Sequence, residues 1–152
     1  MYIYAVVALL FVLPAICTLF EIMLGTGDII AAAGKWLVFW AAGVRLFMAG
    51  VKQSSQPGFT AQSIFGLDDE RSYPIVREVG FGNLSIGTLG ILSLVMPSWI
   101  VPAALVGGLY YLLAGYGHFG REHRNSLEQT ALITDFLAGG LLLAFVAASL
   151  LR

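Results

Sequence analysis

The run IIAAAGKWLVFWAAGVRLFMAGV, residues 29–51, decides the fold. Its only charged residues are Lys35 near the start and Arg45 toward the end. About 20 predominantly apolar residues cross roughly 30 Å of hydrocarbon as a helix, so this run is long enough to span a bilayer. Backbone groups in lipid must bond within their own segment, which selects a helix over an isolated strand. Four further runs have the same character: residues 1–24, 75–96, 99–117 and 130–151. The expectation is an all-α integral membrane bundle of about five transmembrane helices, forming one domain over residues 1–152.

Composition points the same way. Hydrophobic residues make up 59% of the 152 positions and charged residues 11%, with a mean hydropathy of +0.86. A soluble domain carries about 25% charged residues, and a chain this apolar could not cover itself in water. The net charge of −1 provides no field to draw nucleic acid, so membrane lipid is the expected environment. Cys17 is the single cysteine; it has no partner for an internal disulfide and reads as a small residue within an apolar run.

The first run resembles a signal peptide in position only. Its start, Met1-Tyr2-Ile3-Tyr4, has no basic residue, and the apolar stretch exceeds a typical h-region, so it reads as a retained span. Gly25 to Asp28 and Met96 to Trp99 are tight connections, with Pro97 ending one helix and Pro102 suited to the first turn of the next. The long connection, Lys52 to Pro74, contains Phe59, Ile64, Phe65 and Leu67, which suit a segment lying on the membrane surface or folded back as a short helix. Five spans place Lys52, Arg71, Arg77, Arg121 and Arg124 on one face. The positive-inside rule makes that face cytoplasmic, with the N-terminus inside and the C-terminus outside. The location this implies is the bacterial cytoplasmic (inner) membrane, crossed several times.

Small residues follow a pattern. Gly80, Asn83, Gly87 and Gly90 make one seam of the third helix, Gly108, Tyr111, Gly115 and His118 repeat that spacing on the fourth, and Gly43 and Gly50 mark the second. Such stripes let membrane helices approach closely; they also make room for a ligand. Ionisable residues within spans are costly and mark functional sites or structural pairs. Glu21 and Lys35 sit toward the outer face, where they can pair across the hairpin. Arg45, about 10 Å below the cytoplasmic end by helical rise, and Asp135 lie at matching depths, which leaves an ion pair open. Glu78, Asn83, Tyr111 and His118 fall nearby, giving a candidate intramembrane polar cluster of Arg45, Glu78, Asn83, Tyr111, His118 and Asp135. The cluster reads either as structural or as a polar cavity for a substrate, a quinone head group or a proton.

Familiar catalytic patterns are missing from the sequence. His118 and His123 are five residues apart at one membrane edge, which does not suit a bis-histidine haem. No His/Cys/Asp/Glu set has metal-ligand spacing, and there is no nucleophile elbow, Walker loop or dinucleotide fingerprint. No metal, cofactor or catalytic residue is expected.

Three stretches carry a resemblance: Trp36 to Lys52 with Gln56-Pro57-Gly58-Phe59 and Ile64-Phe65-Gly66; Arg77-Glu78-Val79-Gly80-Phe81-Gly82-Asn83; and Ala114-Gly115-Tyr116-Gly117-His118. They resemble an uncharacterised family of small bacterial polytopic membrane proteins over roughly residues 35–140, and more distantly the DoxX-like four-helix proteins. The DoxX-like resemblance implies an accessory membrane subunit of a redox system, in some members linked to quinone chemistry. No site residue transfers with it. The expected function is therefore an accessory or scaffold subunit of a membrane complex or homo-oligomer. The alternatives are a small-solute or proton carrier using the polar cluster, and a quinone-linked redox accessory.

Overall fold

In the computed structural model, residues 2–25, 27–120 and 124–152 are described, with Tyr2 placed by its backbone alone. Arg121 and His123, weighed above for orientation and haem ligation, lie outside the described residues. Those described form helices and connecting turns, with no strand among them. Helix α1 is continuous through Tyr2–Val7, a π-helical stretch Ala8–Val12 and Leu13–Met23. Helix α2 is built alike, from Ile29–Leu37, a π-helical stretch Val38–Arg45 and Leu46–Ser55. Then follow a short α3 (Pro57–Ser63), α4 (Tyr73–Leu92), α5 (Ile100–Phe119) and α6 (Ser126–Leu150).

Four of these helices are long and apolar enough to cross a membrane: Ile3–Met23, Ile29–Ser55, Pro97–Phe119 and Ser126–Leu150. The fifth expected span also forms a helix, α4, which packs lengthwise along α2 from Gly50 and Gly80 at one end to Gly43 and Gly90 at the other. The run expected at 75–96 is helical only over Tyr73–Leu92, so its helix keeps Arg77, Glu78 and Asn83 while the apolar Leu94-Val95-Met96 falls in the following turn. The turn is held where the Ser93 hydroxyl donates to the Gly90 carbonyl at 2.7 Å. Other boundaries move for local reasons. Asn125 caps α6, its Oδ1 accepting from the Glu128 amide at 2.9 Å, so the last helix begins at Ser126 rather than near Thr130. Asp28 caps α2 by accepting from the Ile30 amide at 3.0 Å. Gly25 and Gly27, with φ of +74° and +127°, make the hairpin before it in a conformation side chains disfavour.

Helix α2 is the centre of the bundle and contacts every other helix. Its Val38, Ala41 and Ala42 are fully buried, against Leu10 of α1, Ala103 and Ala104 of α5, and Ala138 and Leu142 of α6. The π-helical stretches of α1 and α2 touch each other. Glycine sets the α2–α4 distance. A Cβ on Gly43 would lie 2.9 Å from the Gly90 carbonyl carbon, and one on Gly50 would lie 2.7 Å from the Gly80 oxygen. The α5–α6 contact has the same character, since a Cβ on Gly139 would come within 2.9 Å of the Gly108 oxygen. Close backbone approach gives the dispersion contact that stands in for hydrophobic drive between helices in lipid.

The outer surface carries Leu19, Phe20, Val95, Leu113, Leu137 and Leu141, all exposed. Apolar cover of this extent suits hydrocarbon and would be an association hazard in water. In the long connection, α3 folds back onto α4 with Pro57, Thr60 and Ala61 buried. Beyond it Asp69 caps the turn Glu70–Ser72. Hydrogen bonding from Arg71 holds the Asp69 carboxyl below the usual carboxylate range.

Candidate functional site

The two ends of the bundle hold different polar groups. At the α1–α2 hairpin end, Lys35 Nζ meets Glu21 Oε2 at 2.6 Å, and the Trp36 indole donates to Glu21 Oε2 at 2.5 Å. The expected Glu21–Lys35 pair is thus made across the hairpin, and Lys35 also lies 5.0 Å from the Trp36 ring centre. One turn or so deeper, the Trp40 indole donates to Cys17 Sγ at 3.4 Å. Arg152 pairs with Asp28 at the same end.

The other end contains a cavity of about 1130 Å³ between α2, α4, α5 and α6, reached also by the start of α1, by α3 and by Phe65. Arg45, Asn83, Tyr111, His118 and Asp135 all line it, so five of the six residues of the predicted polar cluster border one cavity. Glu78 does not: it is exposed on α4 and absent from the lining. The rest of the wall is largely apolar, with Val6, Leu9, Leu46 and Phe47 among its residues, and Lys52 and Gln56 where α2 ends.

Each polar group has its own setting. The Tyr111 hydroxyl is buried and donates to the Ala41 carbonyl at 2.6 Å, inside the π-helical stretch of α2. Asn83 is 3% exposed; its Nδ2 donates to Gln53 Oε1 at 2.6 Å, and its Oδ1 has no hydrogen-bond partner. His118 Nδ1 lies 3.0 Å from Glu128 Oε1, and the Phe65 ring stacks on the imidazole at 5.8 Å between centroids. Asp135 lies in the fields of Arg45 and His118. Arg45 and Asp135 are not joined by an ion pair within 4.0 Å; they face the same cavity instead.

The match to known families is clear at this point. From residue 4 to residue 151 the sequence fits the model of DUF6790, a family of unknown function. The chain belongs to that family. Comparison with curated proteins and with solved structures finds no match. The DUF6790 match takes in the first helix, which the resemblance over residues 35–140 left outside, and Val6 and Leu9 of that helix line the cavity.

Sequence reasoning missed two residues of the cavity wall, Gln53 and Tyr110, and a third, Glu128, that holds the wall residue His118. Glu128 read as part of a loop, but it is 2% exposed and holds His118. The Asn125-x-x-Glu128 spacing is a helix-start signal that would have drawn it into α6. Gln53 fell just past the expected end of α2, which runs on to Ser55. Tyr110 sits beside Asn83 and in the fields of Asp135 and Arg45; it is the neighbour of Tyr111, and only the helix rotation shows that both reach the cavity. Among the described residues no group of three or more His, Cys, Asp or Glu side chains is placed to hold a metal ion.

Proposed function

We propose that this protein is a non-catalytic accessory protein of the bacterial cytoplasmic membrane that holds one amphipathic small molecule in the cavity between α2, α4, α5 and α6. The observation that carries the reading is the make-up of that cavity. Its volume of about 1130 Å³ lies just above the usual range of small-molecule sites, on the order of 300–1,000 Å³. Its wall is mostly apolar, with polar groups such as Arg45, Asn83, Tyr111, His118 and Asp135 set into it, the composition that orients a ligand rather than merely accommodating one. Short connections leave no soluble module for chemistry, which favours a subunit of a membrane complex or a homo-oligomer. The cavity lies at the end bearing Lys52, Arg71 and Arg124, so the positive-inside rule supports a cytoplasmic opening and a cytoplasmic N-terminus.

Carriage of a small solute or a proton is the second reading. It is favoured by the ionisable Asp135 and Arg45 standing on the cavity wall. A quinone-linked redox accessory is the version that the distant DoxX-like resemblance supports. Purification from native membranes in mild detergent, followed by identification of the released small molecules and co-purified proteins, tests the reading. One amphiphile at near-equal stoichiometry, enriched over the surrounding lipid, is the expected result. Bulk lipid in unchanged proportions contradicts it.

A further inference from the structure

We infer that the cavity binds a single-chain amphiphile whose head group is a monoanion, seated at the Lys52 ammonium where α2 ends. The inference rests on the reading of the cavity as an amphiphile site and names the charge of its occupant.

The charges on the wall do not balance. Tyrosines aside, its ionisable side chains are Arg45, Lys52, His118 and Asp135. Arg45 and Lys52 are cations and Asp135 is the one carboxylate. His118 is held by Glu128 at 3.0 Å. Glu128 is not itself on the wall, and the Arg124 guanidinium donates to the His118 carbonyl at 3.1 Å, so that corner has cations of its own. Asp135 lies in the fields of Arg45 and His118. What remains is Lys52, which no carboxylate approaches within 4.0 Å among the described residues. Protonation of Asp135 would only widen the excess of positive charge.

Lys52 is also held where a ligand can meet it. It follows Arg45 by seven residues, which is two turns along the same strip of α2 and about 10 Å nearer the helix end by helical rise. Its ammonium donates to Gln56 Oε1 at 2.5 Å and lies 4.4 Å from the Phe59 ring centre. Gln56 and Phe59 both line the cavity. An ammonium has three N–H donors; Gln56 takes one and, being neutral, leaves the charge in place. The other donors suit the oxygens of an anionic head, in hydrogen bonds roughly twice as strong as those to a neutral one. A cationic head would be repelled by Lys52 and would find only Asp135, already in the field of Arg45. Met48, Val51 and Leu113 line the cavity and are also exposed on the outer surface, so an alkyl tail has apolar contact from the wall out to hydrocarbon.

The test uses hexadecyl sulfate, hexadecanol and hexadecyltrimethylammonium, one tail with a negative, a neutral and a positive head. They are added to the full protein in nanodiscs of phosphatidylcholine, and native mass spectrometry reads the bound fraction against each probe's measured content of the bilayer. Hexadecyl sulfate should bind at least about tenfold more tightly than the other two, the scale of one charge-assisted hydrogen bond. Lys52→Gln should remove most of that advantage and leave hexadecanol unchanged, while Lys52→Arg keeps it. Arg77→Gln, at an exposed position off the cavity wall, should keep it too; an equal loss there would show a general surface field and overturn the seat at Lys52. Methyl sulfate, the same head without a tail, should not displace the probe at large excess, and displacement would assign the site to a free anion instead. Equal binding of the sulfate and hexadecanol, both blocked by Ala131→Trp, overturns the charge inference while the cavity reading stands. Tightest binding of the ammonium overturns it as well, as does an advantage that survives Lys52→Gln. Binding of none of the three removes the cavity reading together with the inference.

Discussion

Glu128 illustrates how far a single residue can be read. Its carboxylate is among the most deeply buried side chains of the bundle, and it holds the His118 ring against which Phe65 stacks. Replacement by alanine leaves a buried imidazole nitrogen without that partner, at a cost of about 1–3 kcal/mol. Glu128→Ala should therefore lower the melting temperature in detergent, and Glu128→Gln, which keeps an acceptor, should lower it less. Equal losses for the two would show that the hydrogen bond is not what matters. Tyr111→Phe removes only the donor to Ala41, and a loss of about 0.5–1.5 kcal/mol is expected in the same melt. Asn83, Tyr111, His118 and Asp135 were legible in the sequence because polar residues at membrane depth stand out against an apolar run. Glu128 and Gln53 were not, because each lies within a few residues of a helix end. There a shift of boundary turns a loop residue into a helical one, on the cavity wall for Gln53 and against His118 for Glu128.

At the scale of the element, glycine spacing told which faces pack but not against what. Gly87 and Gly82 both lie on α4, five residues apart. A Cβ on Gly87 would run into the backbone of Phe47, whereas one on Gly82 meets nothing within 4 Å. Gly87→Leu should thus push α2 and α4 apart and cost at least about 1–3 kcal/mol by overpacking, and Gly82→Leu should be near neutral. Thermal melting of the pair checks this, and equal melting temperatures would mean that α4 does not pack on α2 as described. The π-helical stretches had no visible signal, because Ala8–Val12 is an ordinary apolar sequence and Val38–Arg45 is apolar up to Arg45. Their register follows from how α1 and α2 meet and how Tyr111 reaches Ala41. The early end of α4 was equally hidden: Ser93 looked like one more residue of an apolar run, and its hydroxyl turned out to bond back to Gly90.

For the whole molecule, the helical class and the apolar exterior follow from composition, while the cavity depends on how separate helices are brought together. Topology can be checked directly. In a background with Cys17 replaced by serine, a cysteine at the exposed Asp68 should resist an impermeant reagent added outside intact cells, and one added after Arg152 should react. The reverse pattern would invert the orientation and turn the cavity mouth outward. The central claim is that the cavity holds a molecule, and occupancy of the intact protein measures it most directly. Native mass spectrometry of the protein released from nanodiscs of native lipid should show one bound small molecule per chain. Ala131→Trp, which places an indole on the cavity wall, should abolish that bound mass while leaving the melting temperature close to wild type. A bare wild-type chain, or a bound mass that survives the tryptophan, would contradict the account.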